Sequence, residues 1–133
     1  MKLESKIGKI ENSDERIFNF LSDFENIKKL VPEDKVENWE SGEDWCTFSV
    51  NPVGKTGVKI VEKEEFKLLK FTSIEESQYN FFFWLQLKQV SENDTRVKLT
   101  LDVNLNAMVQ MMAKKPLKEF LDKLVDQLAT LPY

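Results

Sequence analysis

The run YNFFFWLQLKQVSENDTRVKLTLDVNLNAMVQMMAKKPLKEFLDKLVDQLATL, residues 79–131, changes its hydrophobic period once, and that change decides the fold. Up to Leu105 the apolar residues alternate. Phe81, Phe83, Leu85 and Leu87 share one face, and Val97, Leu99, Leu101, Val103 and Leu105 share another. Alternation of this kind marks two strands, each with one face in the core. The two faces point the same way only if odd residues pair with odd ones, which predicts three or five loop residues within Ser91–Thr95, with a bulge. Phe82 and Trp84 then lie on the opposite face, either partly exposed or covered. From Asn106 to Leu131 the period becomes helical. Met108, Val109, Met112, Ala113, Leu117, Phe120, Leu121, Leu124, Val125 and Leu128 read as one stripe, with period near 3.6. Pro116 inside it removes a backbone donor and is expected to kink or divide the helix.

Upstream, Leu3–Ile10 alternates loosely and reads as a first strand. Asn12 or Ser13 caps a helix carrying Ile17, Phe18, Leu21 and Phe24, with Glu15 placed for a capping box. A second short helix starts at Ser22-Asp23-Phe24-Glu25, carries Ile27, Leu30 and Val31, and stops at Pro32. The remaining strands are expected at Val36–Glu40, Trp45–Val50, Val58–Glu64 and Leu68–Ile74, with turns at Ser41–Asp44 and a loop over 51–57. Asn93-Asp94-Thr95 fits a glycosylation pattern and reads more simply as a hairpin turn. The predicted architecture is α+β: a curved antiparallel sheet wrapped around a long C-terminal helix, with two short helices after the first strand, in one domain over 1–133.

Composition excludes several function classes. The 133 residues carry net charge −4 and no Lys/Arg stripe, which argues against a nucleic-acid partner. One cysteine and no histidine rule out an internal disulfide, remove the usual zinc ligands and deny catalysis an imidazole base. No metal and no cofactor is expected. No apolar run reaches the ~20 residues of a membrane span. The start of the chain has no signal-like apolar region, so a cytoplasmic location is the expectation.

The element order, and the run SDERIFNFLSDFENIKKLVP (residues 13–32) with PLKEFLDKL (residues 116–124), resemble the START / Bet v 1-like superfamily, also called SRPBCC or polyketide cyclase-like. The likeness spans the whole chain in pattern and order and contains no catalytic signature. It implies a helix-grip fold whose sheet and last helix commonly enclose a pocket for lipids, sterols, polyketides or other hydrophobic molecules. Some members of that superfamily are enzymes, and one branch helps activate a chaperone ATPase.

Ten Phe, three Trp and two Tyr must fill a core or line a cavity. The candidate ligand-binding residues are Phe48, Phe66, Phe71, Phe81, Phe83 and Leu85 on the strands and Met108, Met111 and Met112 on the helix, methionine being suited to adaptable apolar surfaces. Each also reads as ordinary core. Trp39, Trp45 and Trp84 fall near strand ends or on the minor face by alternation, where partly buried packing is expected, with a cap on a pocket entrance as the alternative for one of them. Cys46 reads as a buried, inert thiol. Val53-Gly54-Lys55-Thr56 lacks the upstream glycine and following helix of a phosphate-binding loop. Glu62, Glu64, Glu65, Glu75 and Glu76 read as solvated carboxylates. The leading function is binding of a hydrophobic small molecule or lipid between sheet and helix. The alternatives are a cyclase or dehydratase, with Tyr79 and Cys46 as the polar groups on the inner face, and an interaction module anchored by Phe82 and Trp84.

Overall fold

Backbone pairing carries the architecture of the computed structural model, which describes residues 1–30, 36–50, 54–75, 77 and 79–133. The expectations for Val31, Pro32, Glu76 and the loop residues 51–53 lie outside the described residues. The strands are β1 (Lys2–Glu4), β2 (Gly8–Ile10), β3 (Val36–Ser41), β4 (Trp45–Val50), β5 (Gly54–Glu64), β6 (Leu68–Ser73), β7 (Phe81–Ser91) and β8 (Asp94–Val103). They form one curved antiparallel sheet in the order β1-β8-β7-β6-β5-β4-β3, with β2 also paired to β8. The helices are α1 (Asp14–Leu21), α2 (Phe24–Ile27), continued by a 3₁₀ turn over Lys28–Leu30, and α3 (Ala107–Leu128). Ser13, Asp23 and Asn106 cap them, each accepting a backbone N–H in the first turn.

The first strand is broken in two. Ser5 is buried, and its hydroxyl accepts from the Leu99 N–H while its own N–H donates to the Leu99 carbonyl. The side chain thus replaces a ladder bond, and β1 and β2 meet β8 on either side of it. At Gly8 a Cβ would collide with Val125, so glycine lets α3 close onto the sheet.

Phe81, Phe83, Leu85 and Leu87 pair with Val103, Leu101, Leu99 and Val97, so odd faces odd as the apolar pattern requires. The turn itself is only two residues, Glu92 and Asn93. A register shift between Gln89 and Ser91 leaves Val90 unpaired and restores the parity. Residues 54–57, expected in a loop, instead extend β5 by pairing with β4.

A second bulge lies in β3, between Glu37 and Glu40, where Asn38 has φ 58°. Asparagine tolerates this left-handed region better than most residues. The extra residue reverses the alternation and brings Trp39 onto the inner face, where its ring stacks on Phe48 at 5.6 Å and 13°.

Phe66 has φ 64° in the turn where the Lys67 N–H donates to the Glu64 carbonyl. That is the third position of the turn, where positive φ ordinarily calls for glycine. The ring compensates by packing edge-on against Phe18 at 5.9 Å. Phe66→Gly is therefore expected to destabilise less than Phe66→Ala, because alanine loses the packing and keeps the strain. Paired urea denaturation curves check the order.

α3 runs through Pro116 without division. Its packed half begins at Leu117, and Leu121, Val125 and Leu128 are buried. At 100° per residue these lie roughly 140° around the helix from Met108, Met111 and Met112. The expected single stripe therefore drifts, and the three methionines face solvent at 75%, 86% and 75% exposure.

Candidate functional site

Between the concave face of the sheet and the packed half of α3 lies a cavity of about 390 Å³. Alternation supplies its floor. Cys46 and Phe48 on β4, Thr56 and Val58 on β5, Phe71 on β6, Phe81, Phe83 and Leu85 on β7, and Leu101 and Val103 on β8 all point inward. Leu117, Phe120 and Leu121 of α3 form the roof, and Phe24, Ile27 and Leu30 close one side. Trp39 lines the cavity because the Asn38 bulge turns it there. Tyr79 and Phe120 are 40% and 45% exposed, so both reach the opening.

Of the candidate residues, the structure brings Phe48, Phe71, Phe81, Phe83 and Leu85 together around this cavity. Phe66 is placed away from it, in the β5–β6 turn against Phe18. Met108, Met111 and Met112 are on the outer side of α3, Met111 over a surface groove beside β1. Sequence reasoning missed Phe24, Ile27, Leu30, Leu101, Val103, Leu117, Phe120 and Leu121 as lining, although each lay on an apolar face or helix it had drawn, and missed Thr56 and Val58, for which it had drawn no face. Trp39, one of three tryptophans that could cap an entrance, was missed as part of the inner wall because a bulge breaks alternation. Of the other tryptophans, Trp45 is partly exposed over Gly42, and Trp84 lies on the outer face beside Phe82. There the Lys70 ammonium sits 4.8 Å from the Phe82 centroid and 5.5 Å from that of Trp84. Glu62, Glu64, Glu65 and Glu75 are exposed.

The lining carries no charged side chain among the described residues. Its polar groups are few. The Thr56 hydroxyl donates to Ser77 Oγ at 3.3 Å, and Ser77 in turn bonds the Gly57 backbone through both its N–H and its carbonyl. Burial pushes the Cys46 thiol up to about 12, against a smaller opposing contribution from a backbone hydrogen bond at Val58. The thiol stays protonated near neutral pH and is no nucleophile. The Trp39 indole N–H is buried without a partner among the described residues. Out of reach of solvent, it is not a ready anchor. No group of three or more His, Cys, Asp or Glu is placed to hold a metal among the described residues, and no helix there is long and apolar enough to cross a membrane.

No protein-family model matches the sequence, and no curated protein matches it. Solved structures do match in three dimensions. An uncharacterized protein from Bacillus thuringiensis superposes with TM-score 0.74 at 12% identity, covering 97% of this chain and 96% of that one. Truncated norcoclaurine synthase from Thalictrum flavum gives 0.72 at 12%, covering 99% and 95%. The Aha1 dimer from Colwellia psychrerythraea gives 0.69 at 20%, covering 98% and 97%. At these identities the likeness shows the fold alone, the helix-grip architecture of Bet v 1-like proteins.

Proposed function

We propose that the protein binds a hydrophobic small molecule or lipid in the cavity between the sheet and α3. The observation that carries this reading is the cavity itself. Its volume of about 390 Å³ falls inside the ~300–1,000 Å³ range of small-molecule sites. A solid core of the same residues would leave no such space, since interiors normally pack to crystal-like density. The uncharged aromatic wall favours a neutral ligand, or the neutral part of an amphiphile. A charge placed there would lose its hydration without a partner. Binding would draw on apolar area removed from water, roughly 25 cal/mol per Å², and the protruding end of an amphiphile would leave past Tyr79 and Phe120.

Native mass spectrometry of protein purified gently from its own source tests the reading. The expected spectrum shows a reproducible added mass that disappears on denaturation. Leu101→Trp, which fills part of the floor, is expected to weaken retention of that mass by about tenfold or more while the fold persists. A bare chain, together with no saturable response to a panel of neutral apolar compounds, would overturn the assignment.

A further inference from the structure

The first half of α3 has a surface that the cavity does not account for. Met108, Met111 and Met112 are the most exposed large apolar side chains of the described residues, at 75%, 86% and 75%. None of the three lines the cavity, and Met111 borders the surface groove beside β1, so their exposure is not explained by the cavity. Residues 107–118 contain no acid and three lysines, Lys114, Lys115 and Lys118, in a chain whose net charge is −4. Lys118 is engaged with the Glu4 carbonyl and Asp122. Lys114 and Lys115 have no ion pair among the described residues. They line a groove against β1 to which Lys2 adds a further positive charge, opposed by Glu4 and Glu119. The local balance is positive where the chain as a whole is acidic.

We infer that this half of α3 docks on an anionic lipid surface, with the methionines entering the interface and Lys114, Lys115 and Lys2 meeting the headgroups. An interfacial helix needs an apolar face flanked by basic residues, and this segment supplies both. Charge favours a membrane over a protein: Lys114 and Lys115, without ion pairs among the described residues, and Lys2 in the same groove complement anionic headgroups. A second copy is disfavoured by charge. A two-fold contact would bring Lys2, Lys114, Lys115 and Lys118 of each copy into one interface against Glu4 and Glu119 of each, which leaves the seam net positive. Pro116 marks the boundary, since the buried residues of the helix, Leu121, Val125 and Leu128, all follow it.

Vesicle flotation tests the inference with the whole chain and no added ligand, so its failure leaves the cavity reading untouched. The protein is expected to float with vesicles of phosphatidylcholine containing phosphatidylglycerol and not with phosphatidylcholine alone. Binding should weaken as salt shortens the Debye length from about 10 Å at 0.1 M towards ~3 Å at 1 M. K114E/K115E and M108S/M111S/M112S should each lower the partition by about tenfold or more. Both alter only exposed side chains, and unchanged circular dichroism would show that they fold. No flotation with anionic vesicles overturns the inference. So does equal binding to neutral vesicles, or unchanged binding by both variants. Self-association of the wild type that M108S/M111S/M112S abolishes, seen by sedimentation, would also overturn it and assign the face to a second copy.

Discussion

Phe24→Ala is expected to cost about 3–5 kcal/mol of stability and to enlarge the cavity at the same time. Phe24 is 1% exposed, opens α2 directly after its Asp23 cap, and meets Phe71 edge-on with ring centroids 6.0 Å apart. Two losses combine. The ring no longer leaves water on folding, and the space it vacates joins a cavity that already exists. Neighbours cannot collapse into a void whose far wall is sheet, so relaxation recovers little, and the cost belongs near the upper end of that range. Phe24→Leu keeps most of the volume and should cost less than ~1.5 kcal/mol. Urea unfolding distinguishes these by a lower midpoint at unchanged slope. A loss under about 1 kcal/mol for the alanine variant would mean that the ring does not wall the cavity. The same variant should accept bulkier ligands, which ties a stability measurement to the site.

The sheet was legible where one rule acted alone. The odd faces of β7 and β8 were readable because burial permits only one parity. The bulge was expected from that parity, but its place, Val90 left unpaired beside a two-residue turn, has no residue signature, and the loop was read as longer. β3 shows the same limit more sharply. Strict alternation puts Trp39 outside, and one left-handed residue turns it inside. The signal was present as Asn38, a residue disfavoured in strands and tolerant of positive φ, but it became meaningful only with the bulge. Ser5 is a third case, a small polar residue whose hydroxyl takes over a ladder bond and splits the first strand. In α3, apolar composition was mistaken for one face. Over the 22 residues of the helix, 100° per residue puts the methionines and the residues that pack on different sides. The aromatic floor of the cavity followed from alternation. Its volume could not, because that depends on how far helix and sheet stand apart.

Raising the pH from 9 to 12 should remove up to about 4 kcal/mol of stability through Cys46 alone. The thiol is 1% exposed, and burial lifts it from 9.0 to about 12. Below pH 9 it is protonated in both folded and unfolded chains, and its contribution to stability is complete. Between pH 9 and 12 the unfolded chain releases the proton while the folded one keeps it. The unfolded state then binds fewer protons, so stability falls by about 1.4 kcal/mol per pH unit. The loss is complete once pH passes the folded value. Tyr133 is raised in the same direction by burial, with its hydroxyl donating to the Leu128 carbonyl. It is common to wild type and Cys46→Ala, so the difference between their stability curves isolates the thiol. At neutral pH the alanine variant should be the weaker by ~1–2 kcal/mol of lost packing. Its shallower alkaline slope then makes the two curves cross between pH 9 and 12. Parallel curves would mean that Cys46 is solvated. Alkylation provides the independent check. Iodoacetamide should react with the folded protein at pH 8 far more slowly than with the protein in urea. A thiol that reacts equally fast in both cannot be sealed in this wall, and the cavity floor between β4 and β5 would then be open to water. If the thiol is sealed, the lining near it is dry and neutral. That environment suits an apolar ligand and disfavours chemistry that needs a thiolate.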